Sequence, residues 1–377
     1  MSTLQQAWET GLRKLEISRR EFTGELWEFL EKKDGQYFRA EPSTRKPFHD
    51  IGCWVASFYS GMELLAFERQ HDLERFKWIN RFYTTYHDKV TRHAAETMHD
   101  LGFLYSPYSV KHYKLTGDVN QRRTALKAAE LLAARFVLPG GYIKAWGRMD
   151  QSGPEAWGSG IAIIDTMMNL PLLFWAAEET GNPFYRDIAA RHADFTARLM
   201  VREDGSVYHA YRFDEASGEP LGGCNFCGFA DESHWARGTA WAIYGFAIAA
   251  RYTGNPAYLD TSIRLARRFL AELRGDAVPV WDFRLPPKES PRKDSSAAAI
   301  AACGFLELAR QDPEGGWREQ AERSLTALAS ADYLDGDAAT AGMLKHSNGR
   351  EVYTIYGDYF FMEALAQSLD PNYVSCW

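Results

Sequence analysis

Six stretches of this chain are apolar on nearly every side of a helix, and six that alternate with them are apolar on one side only. The first set runs near Trp54–Glu68, Asp100–Leu115, Ile164–Thr180, Gly238–Thr253, Ser296–Arg310 and Asp358–Ser368. The run Ala297-Ala298-Ala299-Ile300-Ala301-Ala302-Cys303-Gly304 is typical of it. A helix that is apolar all round is buried all round. The second set runs near Gln5–Phe29, Leu73–Lys89, Val119–Phe136, Pro183–Met200, Pro256–Leu273 and Trp317–Ala329. There, as in Arg186–Arg191 and Arg264–Arg268, basic and apolar positions mix on a helical period. Six buried helices, each followed or preceded by an amphipathic one, predict an inner ring wrapped by an outer ring. The expected fold is therefore all-α, an (α/α)6 barrel in a single catalytic domain over residues 1–377. Short strands are expected in the loops, near Ser206–Arg212 and Val278–Phe283.

The punctuation supports hairpins. Leu115-Thr116-Gly117-Asp118, Glu179-Thr180-Gly181-Asn182-Pro183 and Tyr252-Thr253-Gly254-Asn255-Pro256 share one design. A helix ends at Gly, which accepts the left-handed capping conformation, and Asn, Asp or Pro starts the next helix. Gly181 follows Gly117 by 64 residues and Gly254 follows Gly181 by 73, room for two helices and their loops. A tetratricopeptide solenoid, with its period near 34, fits poorly.

Composition narrows the function classes. A hydrophobic fraction of 46% and a charged fraction of 25% are ordinary for a globular protein. Aromatics make up 14% of the chain; most must pack the core, but some are suited to lining a groove for sugar rings. A net charge of −7 with no basic run excludes a general nucleic-acid binder. The N-terminal stretch lacks a leader pattern, and no apolar run reaches about 18 residues, so neither export nor a membrane span is expected. Five cysteines, an odd number, fit a reducing compartment, and the expected location is cytoplasmic. Cys224 and Cys227 form a lone C-x-x-C without a second ligand pair, so no metal and no cofactor is expected. Monomer and homodimer both remain open.

The candidate chemistry lies in two carboxylates. Asp100 and Asp165 occupy matching places just ahead of long apolar segments, where an ionised Asp is costly unless paired, hydrated or protonated. With the inner helices starting at one end, Trp54, Asp100, Asp165, Arg237, Asp294-Ser295-Ser296 and Tyr356-Gly357-Asp358 would share a rim. Several of these have structural explanations. Asp294 and Ser295 read as helix N-caps, Arg237 as an ion-pair partner of Asp231 or Glu232, and His209 as a hydrogen-bonded structural residue. Asp165, between Ile161–Ile164 and Met167–Trp175, is least explained that way.

At these residues the chain resembles the unsaturated glucuronyl hydrolases of glycoside hydrolase family 88. The resemblance is carried by H-D-L-G-F-L-Y-S (99–106), I-K-A-W-G (143–147), I-I-D-T-M-M-N-L-P-L-L (163–173) and Y-H-A-Y-R-F-D (208–214). It continues at W-A-R-G-T-A-W-A-I-Y-G-F (235–246), V-W-D-F-R-L-P (280–286), D-S-S-A-A-A-I-A-A-C-G (294–304) and Y-T-I-Y-G-D-Y-F (353–360). It implies the (α/α)6 barrel and an oligosaccharide substrate, left by a polysaccharide lyase, that ends in a 4,5-unsaturated uronic acid. It also implies hydration of the C4=C5 vinyl ether in place of direct attack on the glycosidic bond. Carried over, Asp165 is the general acid/base, protonating C4 and helping water add at C5, and Asp100 is the second essential carboxylate. His209, Arg237 and Trp241 match residues that contact the uronic acid, Gly222 and Cys224 fall on a loop of sugar contacts, and Trp54 and Trp146 match aromatics of the pocket. A proton donor to carbon must stay neutral near working pH; lifting an Asp from about 3.9 to about 6 costs roughly 3 kcal/mol, and an ionised Asp100 nearby is expected to supply the push.

The loop Cys224-Asn225-Phe226-Cys227-Gly228, Ser57 and Tyr356 depart from the family pattern, and His346-Ser347-Asn348-Gly349-Arg350 sits where relatives recognise sulfate. The alternatives are an unsaturated rhamnogalacturonyl hydrolase acting on pectin fragments, with the same barrel and chemistry, or a non-catalytic helical sugar-binding scaffold that needs no acidic pair.

Overall fold

A computed structural model describes residues 2–21, 53–151, 153 and 155–377. Along the chain, α1 (Thr3–Glu21) precedes α2 (Ala56–Gln70), α3 (Leu73–Asn80) and α4 (Tyr83–Arg92). Next come α5 (Leu101–Tyr105), a π-helical turn at Ser106–Val110, α6 (Lys111–Thr116) and α7 (Val119–Ala133). A hairpin of β1 (Phe136–Val137) and β2 (Tyr142–Ile143) leads to β3 (Ile161–Ile163), a 3-10 turn at Ile164–Met168, α8 (Leu170–Thr180) and α9 (Pro183–Phe195). After β4 (Ala210–Phe213) and β5 (Pro220–Cys224) the chain continues through α10 (Ala236–Thr253), α11 (Pro256–Glu272), α12 (Ser295–Gln311), α13 (Trp317–Leu328) and α14 (Ile355–Leu369).

The apolar stretches form the inner ring. Helix α2 packs on α5, α5 on α8, α8 on α10, α10 on α12, α12 on α14, and α14 returns to α2, so the ring closes. Burial follows the sequence pattern: every residue of α12 from Ser295 to Leu308 is buried, whereas α11 buries only Tyr258, Ser262, Leu265, Ala266 and Phe269. The hairpin marks are also met. Gly117, Gly181 and Gly254 hold φ of 73°, 69° and 66° at helix ends, a region that costs a side chain but not glycine. Asp118, Asn182 and Asn255 then cap the helices that follow.

The differences from the sequence reading are local. Of the expected helix Gln5–Phe29, residues 3–21 are helical and 22–29 lie outside the described residues. The expected helix Leu73–Lys89 is broken into α3 and α4, because the amides of Arg81 and Phe82 bond carbonyls only three residues back. Helix α7 stops at Ala133, since Phe136 and Val137 pair with Ile143 and Tyr142 instead. Val278–Phe283 forms only two isolated bridges, Val280 with Lys293 and Asp282 with Trp235. The expected strand near Ser206–Arg212 is β4, the centre of an antiparallel sheet in the order β3-β4-β5. Its register sets Ile163 against Ala210 and Ala210 against Cys224, which brings the approach to Asp165 alongside His209.

Candidate active site

The two aspartates reach one place because their backbones nearly touch. Asp100 precedes the first turn of α5, and Asp165 sits in the 3-10 turn ahead of α8. Between them, Gly102 lies against Asn169: a Cβ built there would fall 2.3 Å from the Asn169 Cα. Any side chain at 102 would force the two segments apart. The Asn169 side chain then bolts the seam, accepting from the Phe103 amide at 2.8 Å and donating to the Asp165 carbonyl at 3.2 Å.

Each carboxylate faces a buried histidine. His99 Nε2 lies 3.4 Å from Asp100 Oδ1, and its Nδ1 meets the Thr166 hydroxyl at 2.8 Å, tying the residue before one aspartate to the residue after the other. His209 Nε2 lies 3.7 Å from Asp165 Oδ2, a buried oxygen without a hydrogen-bond partner. Burial holds both rings neutral, His209 down at about 3, with Arg237 adding to the push.

Both carboxyls are raised above the ordinary aspartate range. Burial, followed by the neighbouring Asp165, pushes Asp100 up to about 8. Burial also lifts Asp165, but Arg237 and the Trp241 indole favour its charged form and leave it at about 6. Burial thus raises Asp100 further than Asp165, because the cation and the indole both lie on the Asp165 side.

Arg237, at the start of α10, donates to Asn348 Oδ1 at 2.7 Å and to the Tyr356 hydroxyl at 2.8 Å, and lies 3.9 Å from Asp294. Its carboxylate neighbour is therefore Asp294, not the Asp231 or Glu232 weighed from sequence. Rings of Trp235 and Tyr356 flank its guanidinium at 4.6 and 4.8 Å. Trp54 stacks on Tyr356 at 5.1 Å, and Trp241 is fully buried against Phe103 and Phe360. Trp146 stacks on Trp157 at 6.0 Å and takes the edge of Phe226 at 5.0 Å. Trp157 and Phe226 are 58% and 49% exposed, so with Trp146 they form a patch of rings at the surface.

Gly222 and Cys224 lie on β5, opposite Arg212 and Ala210. Cys224 is buried among Ala145, Ile161, Ile163 and Ala210, packing the sheet beneath Trp146. Cys227, in contrast, lines a cleft of about 420 Å³ with Phe226, Arg237, Arg292, Asn348 and Arg350. Lys345 turns away, donating to the Ala331 carbonyl at 2.6 Å. Among the described residues no cluster of His, Cys, Asp and Glu is placed to hold a metal ion, and no helix is long and apolar enough to cross a membrane.

Sequence reading missed four contributors. His99 stood inside a quoted motif beside Asp100, a usable signal. Asn169 and Asn348 also stood inside quoted segments, but their partners Phe103 and Arg237 are remote in sequence, and Arg135 carried no signal. Arg135 is buried and spends its guanidinium on backbone carbonyls of Thr97, Lys144, Ala145, Trp146 and Gly147. It thereby clasps the Trp146 loop to the segment leading into Asp100.

Comparison with known proteins finds relatives over most of the chain. The profile of Glycosyl Hydrolase Family 88 matches residues 31–365. An unsaturated glucuronyl hydrolase of Bacillus sp. (strain GL1) is 38% identical over 360 residues, covering 92% of this chain and 94% of that protein. An unsaturated chondroitin disaccharide hydrolase of Streptococcus pyogenes serotype M1 is 34% identical over 347 residues, covering 88% and 83%. The crystal structure of the unsaturated glucuronyl hydrolase responsible for glycosaminoglycan degradation in Bacillus sp. GL1 superimposes with a TM-score of 0.86, at 35% identity and 96% coverage of both chains.

Proposed function

The chain belongs to Glycosyl Hydrolase Family 88, and from that premise we propose that it is an unsaturated glucuronyl hydrolase acting on lyase-generated glycosaminoglycan fragments. The single observation that carries the reading is the buried carboxyl pair, Asp100 and Asp165, each faced by a buried histidine. A sugar-binding scaffold has no use for two such costly carboxyls. The names of the Bacillus and Streptococcus relatives favour glycosaminoglycan fragments over pectin fragments.

The chemistry follows from the pair. Asp165, lifted to about 6, is neutral in an appreciable fraction of molecules under mildly acid conditions and can deliver its proton to C4. Positive charge then develops on C5 and the ring oxygen, where the new Asp165 carboxylate stabilises it and takes a proton from the attacking water. The resulting C5 hemiketal opens and the next sugar leaves. Asp100, holding its proton, acts as a hydrogen-bond donor to the substrate's ring hydroxyls. Arg237 and His209 hold the uronate, with Trp241 beneath it and Trp54 beside it. Trp146, with Gly222 and Cys224 shaping the strand below, forms the wall for the following sugar. Residues 1–377 act as a single catalytic domain, and the four described buried or cleft-side thiols beyond Cys53, all unbridged, favour a cytoplasmic setting.

Arg292 and Arg350 in the cleft favour an anionic group on the sugar after the uronate. The test is loss of the unsaturated uronate's ultraviolet absorbance with sulfated and unsulfated chondroitin, hyaluronan and heparin disaccharides. Decay with one or more supports the reading. Absorbance that persists with all of them rejects it.

A further inference from the structure

A neutral imidazole has one N–H and one lone pair, and the partner of one nitrogen decides what the other presents. At His209 that partner is the backbone amide of Phe226, which donates to Nδ1 at 2.9 Å. Nδ1 must then carry the lone pair, and the ring proton sits on Nε2, 3.7 Å from Asp165 Oδ2. In the opposite tautomer two N–H groups would collide at Nδ1, and a lone pair would face the carboxylate.

We propose that the Phe226 amide is a positioning group for the reaction, fixing His209 as the Nε2–H tautomer that faces Asp165. The loop is built to present that one amide. The Asn225 amide donates to Asp231 at 3.0 Å, and the Asn225 side chain accepts from the amides of Cys227 and Gly228 at 2.9 and 2.6 Å. The Phe229 amide donates to Asp282 at 2.9 Å, and Asp282 is itself held by the His234 and Arg284 amides. Four amides around position 226 are thus tied to side chains, and the fifth is aimed at the imidazole. The Phe226 ring, edge-on to Trp146, faces the cleft, so one residue meets the leaving sugar and sets the tautomer of the histidine beside the acid.

The inference rests on the hydrolase reading for its consequence but not for its test. Enzyme labelled with ¹⁵N-histidine, with the His209 signals identified by their loss in His209→Asn, reports the tautomer directly. The wild type is expected to show a protonated Nε2 and a bare Nδ1. Phe226→Pro, which removes the N–H, is expected to mix the tautomers and lower kcat by about 10–100-fold, the usual loss when a working imidazole loses its orienting bond. Phe226→Ala keeps the N–H and is expected to keep the wild-type imidazole signals, with the lost ring showing as a raised KM. A wild-type spectrum with the proton on Nδ1 overturns the proposal, even if the proline variant does not fold. So does a folded Phe226→Pro enzyme with unchanged signals and kcat. A wild type inactive on every disaccharide would sink the hydrolase reading and leave the tautomer result standing.

Discussion

Asp100→Asn should make the protein more stable, and the gain should depend on pH in a defined way. Asp100 is 7% exposed and is pushed up to about 8 in the folded chain, from the 3.8 ordinary for an aspartate. The sign follows from linkage. Between those two values the folded protein binds a proton that the unfolded chain has released, so stability falls as pH rises through the window. Each unit is worth about 1.36 kcal/mol, so by pH 7 the carboxyl costs about 4 kcal/mol relative to acid conditions. Asparagine cannot ionise and removes that cost, while Asp165, whose own shift owes nothing to a charge on Asp100, keeps its slope. The stability gap between variant and wild type should be near its minimum at pH 4, widen to about 4 kcal/mol by pH 7 and level off above about pH 8. Urea denaturation at four pH values measures it. A gap that stays flat across pH, or one that narrows as pH rises, would refute the assignment of the proton to Asp100.

Two further outcomes follow. Because the donor to C4 must be protonated, kcat/KM should fall as pH rises through about 6, toward tenfold per unit, and a pH–rate profile reads that limb. Arg135→Gln leaves the carbonyls of Thr97, Lys144, Trp146 and Gly147 without their guanidinium donor and should cost about 3 kcal/mol or more, with a raised KM as the Trp146 loop loosens; Arg135→Lys should recover the charge but not the fork, and denaturation with steady-state kinetics separates the two.

The barrel was legible because its signal is periodic. Twelve helices with two degrees of amphipathicity, punctuated at Gly117, Gly181 and Gly254, admit few arrangements. The sheet was not. Ile161–Ile163 is too short and too apolar to be distinguished from a helix start, and Pro220-Leu221-Gly222-Gly223-Cys224 has no alternation at all. In the site, Asp100 and Asp165 stood out because charge in apolar surroundings is conspicuous, and Gly102 explains how they meet. The difference between them was hidden, since it depends on Arg237 and Trp241 approaching from another helix. Phe226 was visible only as part of an atypical loop, because the group that reaches His209 is its backbone amide, and every residue but proline has one.

The central chemical claim is that water enters across C4=C5 and the glycosidic bond falls afterwards. Incubating an unsaturated chondroitin disaccharide with the enzyme in heavy water, and following ultraviolet absorbance and early products by NMR, tests it most directly. The prediction is one absorbance loss per sugar released, with deuterium at C4 of the uronate product. Release of the second sugar while the absorbance persists, with no deuterium at C4, would contradict it.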